Sequence, residues 1–280
     1  MAGAFSGTGQ QTAETDAAAT AENAADTTAA IEGIARQEDT LISLAQERNL
    51  SWRDEEFAVD PNRETEWNYE PNDRKVVYLT IDDGPSENTQ AVLDILDEYH
   101  CKATFFVTGI CPEYAYQIKE AYRRGHTIGL HTYSHDYAQV YASQSDYYAD
   151  LDAIGQVVKE QIGYVPCFIR FPGGSSNAIS ASYTPGIMSA LVNGVQAEGY
   201  QYYDWNASSG DGSVHTADEL YAYACEYDTY DNVVLLCHDS STKQTTVEAL
   251  PRIIEHYQSL GYTFEAIDRT TMVPHHGVSN

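Results

Sequence analysis

Between Val76 and Ile267 the chain repeats a short apolar, β-branched run followed by a stretch of helical periodicity, seven strands in all. Such alternation builds a parallel sheet covered by helices and leaves few other folds open. The runs are Val76–Ile81, Ala103–Val107, Thr127–Leu130, Cys167–Phe171, Tyr200–Trp205, Val233–Cys237 and Tyr262–Ile267. Ser86 is placed to cap a first helix carrying Val92, Leu93, Ile95 and Leu96. A second helix spans roughly 114–124 and stops at Gly125. A longer one covers about 146–161, another follows Pro185, Thr216 is placed to cap the next, and the last spans about 246–260.

Two architectures share this alternation, and polar residues distinguish them. A doubly wound sheet gathers its chemistry at one switch point. A barrel gathers it after every strand, at one face. Here polar clusters follow strands one, three, four, five and six, which favours a barrel. No glycine-rich phosphate loop follows the first strand, which argues against nucleotide chemistry.

The N-terminal quarter differs. Residues 1–30 are rich in Ala, Thr, Gly, Glu and Asp and nearly devoid of large apolar side chains, a composition that does not favour folding. Ile31, Ile34, Leu41 and Leu44 suggest a helix over about 29–50, and residues 54–74, broken by Pro61 and Pro71, read as a linker. The expected division is therefore a disordered or helical stalk and linker over 1–73 and a catalytic domain over 74–280. Net charge is −27, which disfavours nucleic acid and anionic membrane surfaces as partners. No apolar run is long enough to span a bilayer, and the first residues lack the pattern of a signal peptide. The five cysteines form no C-x-x-C pair; Cys167 and Cys237 read as core residues, and Cys101 and Cys111 are near enough in sequence to pair.

The strand ends carry the chemistry. Asp82 and Asp83 are adjacent carboxylates before Gly84-Pro85, so one can face a metal and the other a substrate or water. His131 and His135 stand four apart, the spacing that puts two imidazoles on one side of a helical turn. His126, inside its strand, reads as a packed core histidine. Arg170 rises from an apolar strand and needs a carboxylate partner. Asp204 is the acid available to orient a histidine, Trp205 could wall a sugar, and His238 ends the sixth strand.

Five motifs in this order, T-I-D-D-G-P, H-T-Y-S-H, R-F-P-G-G, D-W and L-C-H, resemble those of the polysaccharide deacetylases of carbohydrate esterase family 4. The resemblance covers about residues 74–270. It implies a distorted (β/α)7 barrel of parallel strands. It implies Asp82 as general base and Asp83, His131 and His135 as ligands of Zn²⁺, Co²⁺ or another divalent ion. It implies Arg170 as the group that tunes Asp82, and His238 as general acid oriented by Asp204. Leu236 would line the acetyl pocket, and the Gly173 N–H would help hold the oxyanion. Two positions depart from the family pattern: Ile81 stands for a usual Phe, and Gly173 for an aromatic residue in many relatives, thinning the groove wall.

The expected activity is removal of acetyl groups from N-acetylglucosamine residues of a polysaccharide. Peptidoglycan is the first expectation, and chitooligosaccharide or an O-acetylated xylan the alternatives. An enzyme of this kind is expected to be a monomer at the cell surface or outside the cell, its export signal or anchor absent from this sequence. An iron oxygenase with two histidines and one carboxylate would not need Asp82, Arg170 and His238. A non-catalytic sugar-binding module would not need the acid, base and ligands together.

Overall fold

The computed structural model describes residues 56–280, so the low-complexity stretch and the helix expected over 29–50 lie outside the described residues. The strands are β1 (Val76–Asp82), β2 (Ala103–Val107), β3 (Thr127–Leu130), β4 (Phe168–Ile169), β5 (Gln201–Tyr202), β6 (Ala207–Ser208), β7 (Asn232–His238) and β8 (Thr263–Phe264). The α-helices are α1 (Thr89–Glu98), α2 (Tyr116–Arg123), α3 (Tyr137–Val140), α4 (Gln144–Ile162), α5 (Ile187–Ala197), α6 (Ala217–Cys225) and α7 (Gln244–Ser259). The strands pair in parallel in the order β5-β4-β3-β2-β1-β7-β6. The curled sheet is the expected distorted barrel.

Three local differences from the sequence reading have physical reasons. Helix α1 begins at Thr89 rather than beside Ser86, because the Ser86 hydroxyl donates to the Asp239 carbonyl and its N–H donates to Thr89 Oγ1. Strand β8 pairs only with Val76 and Val77, since β2 takes that edge of β1 from Leu79 onward. Strand β6 was not expected; it is two residues long, too short for a periodic signature, and it pairs Ala207 and Ser208 with Leu235 and Leu236. At α6 the expected cap is present, with Thr216 and Glu219 each bonding the other's backbone N–H.

Alternation along the central strands separates two environments. Ile81 and Phe105 face outward to Ile118 and Ala121 of α2. Thr80, Asp82 and Phe106 face the barrel axis, where the Arg170 side chain lies. The apolar outer layer fixes the strands against the helices, and the axis is left for polar groups that satisfy one another.

Strands β5 and β6 end the sheet and do not pair, so the barrel is open between them. The C-terminal segment runs along this seam. Pro274 O accepts from Asp204 N–H, His276 N–H donates to Asp204 Oδ2, and His276 Nε2 lies 2.7 Å from Trp205 O. The described part of the expected linker is also bound to the barrel. Phe57 is buried against Phe168, Val59 N–H bonds Val165 O, and Trp67 packs between Phe168 and Arg269. Two aromatic anchors, Phe57 and Trp67, keep this polar stretch from being a free tether. All five cysteines are free thiols, so Cys101 and Cys111 do not pair. No helix of the described residues is long and apolar enough to cross a membrane.

Candidate active site

Asp82 is the last residue of β1, and Asp83 follows with φ of 74°. This left-handed turn is what sends two adjacent carboxylates in different directions. The next residue must be glycine on steric grounds: a Cβ on Gly84 would lie 2.2 Å from Asp239 Oδ1.

Asp82 points down the barrel axis and is buried. Its Oδ1 accepts from Arg170 Nη1 at 2.8 Å. Arg170 also donates to Thr80 Oγ1, Tyr203 O and Asp204 O, and its guanidinium lies 4.4 Å from the Phe106 ring centre. The carboxylate partner that the sequence demanded for Arg170 is therefore Asp82. Burial pushes the Asp82 pKa up from its ordinary value, and the charges of Arg170 and His238 oppose that push.

Asp83, His131 and His135 converge. One ligand atom from each lies within 4.8 Å of the others. Asp83 Oδ1 is 3.5 Å from His131 Nε2 and 3.4 Å from His135 Nε2, and it is buried with no hydrogen-bond partner. An orphaned buried carboxylate oxygen facing two imidazole nitrogens is what a cation would satisfy. The tautomer of His131 agrees. Its Nδ1 lies 2.8 Å from Arg170 O, and a carbonyl only accepts, so Nδ1 carries the proton and Nε2 presents its lone pair. Burial, and then the nearby His135, hold its pKa down to about 3, so the ring stays neutral. The donor set, one carboxylate and two imidazoles, suits a catalytic divalent ion.

The His131–His135 spacing works differently from expectation. The segment is a bend, not a helical turn, with Thr132 at φ 78° and His135 at φ 50°. Asp150 of α4 holds it, accepting the N–H groups of both Tyr133 and Ser134. His126 sits apart in the core as expected, though just before β3 rather than in it, accepting from Ala103 N–H and packing on Phe105.

On the opposite wall, His238 Nδ1 donates to Asp211 Oδ1 at 2.8 Å, and its N–H donates to Asp211 Oδ2. Burial alone would lower the His238 pKa. The hydrogen bond and charge of Asp211, with Asp82 and Asp83 beyond, outweigh burial and lift it to about 9. Asp211 itself ends below its usual value, because its bonds to His238 and Thr246 overcome burial. The pair is a protonated imidazole on an ionised carboxylate at neutral pH.

This corrects the expectation for Asp204. Its carboxylate accepts from Ser175 N–H, Ser175 Oγ and His276 N–H, and so ties the loop after β4 to the C-terminal segment across the seam. Its role is to hold those two segments, and Asp211 takes the place beside His238. Asp211 arrives through β6, which brings the chain back along β7 after Trp205. The sole sequence signal was an acid behind Gly210 in a polar turn.

The remaining expected residues lie around these groups. Leu236 is buried on β7, opposite Thr80 and two residues before His238. Gly173 has φ 76° in the loop after Arg170. Trp205 packs against His276 and faces the Arg170 guanidinium at 5.6 Å, lining a cavity of about 420 Å³ with Tyr227, His275 and His276.

Comparison with known proteins agrees with this geometry. Residues 69–184 match the polysaccharide deacetylase domain. YheN of Bacillus subtilis, a polysaccharide deacetylase by name, is 30% identical over 211 residues, covering 72% of this chain and 70% of YheN. The chain belongs to the polysaccharide deacetylase family. A peptidoglycan-N-acetylglucosamine deacetylase of Bacillus cereus is 28% identical over 254 residues, 88% of this chain and 86% of that protein. The crystal structure of the catalytic domain of a peptidoglycan N-acetylglucosamine deacetylase from Eubacterium rectale superposes with a TM-score of 0.74. It is 41% identical, covers 79% of this chain and is itself covered completely. Membership makes this polysaccharide deacetylase a hydrolase of carbohydrate esterase family 4.

Proposed function

We propose that the enzyme removes acetyl groups from N-acetylglucosamine residues of a polysaccharide, with peptidoglycan as the substrate and zinc as the ion. The observation that carries this reading is the convergence of Asp82, Asp83, His131, His135 and His238 at the C-terminal mouth of one barrel. The similarity to two proteins named for peptidoglycan deacetylation favours that glycan over chitooligosaccharide or acetylated xylan.

Asp83, His131 and His135 would hold the ion. When bound, it supplies a Lewis acid for the acetyl carbonyl and a water of lowered pKa. Asp82, with one oxygen fixed by Arg170 and the other 3.8 Å from His131 Nε2, takes the proton of the attacking water. A bond forms from water oxygen to the acetyl carbon, and the Gly173 N–H is the backbone donor for the oxygen that gains charge. His238, protonated on Asp211, gives its proton to the nitrogen as the C–N bond breaks. Acetate and a free amine leave. Such a substrate lies in the cell wall, so the enzyme is expected to work as a monomer at the cell surface.

Acetate release tests the reading. It is expected from peptidoglycan at a higher rate than from chitin oligomers, to stop with chelator, and to be lost in Asp82→Asn. Faster release from chitin oligomers would transfer the assignment to chitooligosaccharide, and near-normal turnover by Asp82→Asn would remove Asp82 as the base.

A further inference from the structure

Gly173 lies in the loop after β4, and Tyr137 opens α3 in the loop after β3, two residues beyond His135. The two meet across the site. A Cβ built on Gly173 would sit 2.6 Å from the Tyr137 hydroxyl. The phenol therefore occupies the space that a side chain at 173 would take, and the φ of 76° favours glycine there.

The Tyr137 ring is held from two sides. Its edge contacts are with His135, at 5.8 Å between centroids, and Tyr141, at 5.4 Å. Asp136 caps the short helix through Ala138 N–H, fixing the backbone from which the ring projects. The hydroxyl, by contrast, bonds no protein group among the described residues. Its neighbours are all engaged. The Tyr141 hydroxyl donates to Pro172 O at 2.7 Å, Asn177 Nδ2 donates to the same carbonyl, and Asn177 Oδ1 accepts from Ile179 N–H. Among the described residues no backbone carbonyl accepts the Gly173 N–H. The Tyr137 hydroxyl is thus an unspent donor beside Gly173, on a ring that is only partly exposed and pinned in place.

We propose that Tyr137 is a substrate-binding residue, its hydroxyl donating a hydrogen bond to the N-acetylated sugar seated over Gly173. The inference rests on the deacetylase reading for the identity of that sugar. Tyr137 forms the groove wall that Gly173 lacks, supplied from the facing loop, and it adds binding to the acetylated residue that is the same before and during the reaction. A neutral hydrogen bond of this kind, lost without leaving a buried group unpaired, changes binding by about three- to tenfold.

The test is Tyr137→Phe, which removes the hydroxyl and keeps the ring. Calorimetric titration of a tetramer of N-acetylglucosamine into Asp82→Asn and into Asp82→Asn/Tyr137→Phe compares affinities without turnover. Steady-state acetate release compares KM and kcat of wild type and Tyr137→Phe. The expected result is about three- to tenfold weaker binding and a matching rise in KM, with kcat, metal content and melting temperature nearly unchanged. Equal affinity and equal KM would overturn the inference even if wild type releases acetate. Weaker binding by Asp82→Asn/Tyr137→Phe, together with a wild type that releases no acetate, would uphold Tyr137 and discard the reaction. Tyr137→Ala, which also opens the wall, is expected to bind more weakly still.

Discussion

His238 Nδ1 stands 2.8 Å from Asp211 Oδ1, while the Asp204 carboxylate is committed to Ser175 and His276. The two acids therefore separate by experiment. Asp211, with Asp82 and Asp83 beyond, lifts the His238 pKa to about 9 against burial, so the proposed general acid keeps its proton until pH passes that value. A bound cation would offset the nearby carboxylates, which places the alkaline limb of the rate at or below about pH 9. Asp211→Asn is expected to move that limb to lower pH. Asp204→Asn should leave the limb in place and lower stability, by about 1–3 kcal/mol for each buried donor left unpaired. Rate profiles and urea unfolding of both variants check this, and a limb that moves with Asp204 instead would reverse the assignment.

Stability follows the same proton. The His238 pKa is raised from 6.5 to about 9, so its contribution is full below about pH 6.5 and fades as pH rises through about 9. The wild type is expected to lose unfolding free energy across that window, and Asp211→Asn to lose less. Parallel pH dependence in the two proteins would contradict the pairing.

What the sequence made legible divides along physical lines. The barrel follows from the apolar runs, and the paired acids at the end of β1, the two histidines after β3, Arg170 and His238 all sit at the ends of those runs, so pattern placed them at one face. Asp211 was not legible, because its partner is set by β6, two residues whose pairing depends on β7 and not on local propensity. Asp204 reads from sequence as the partner of His238 because a strand-end acid looks the same whether it meets a histidine or a serine. The stretch around Phe57 and Trp67 looked like a linker because charge and proline outnumbered the two rings that anchor it.

Arg170 has four hydrogen bonds to the barrel interior and is 1% exposed. Arg170→Met keeps much of the volume and leaves Asp82 buried without its cation. Breaking a buried pair in this way costs about 3–5 kcal/mol. The expected outcome is a drop of that size in urea unfolding, with acetate release lost. Unchanged stability would mean that water or another group reaches Asp82 in place of the guanidinium.

Asp150 touches neither substrate nor ligand atoms, yet it fixes the bend between His131 and His135 through Tyr133 and Ser134 N–H. Asp150→Ala is expected to weaken zinc affinity about 10–100-fold, the scale found when groups supporting metal ligands are removed. Competition with a chromophoric chelator measures it. An affinity equal to wild type would show that the bend holds itself.

The most direct measurement is metal stoichiometry by equilibrium dialysis, using chelator-stripped wild type, His131→Ala and Asp83→Ala, with acetate release followed on the same samples. The expected result is one zinc per wild-type chain, none at the same free concentration in either variant, and activity that returns only where zinc does. Full acetate release from stripped wild type, or equal zinc uptake by all three proteins, would contradict a shared cation at Asp83, His131 and His135.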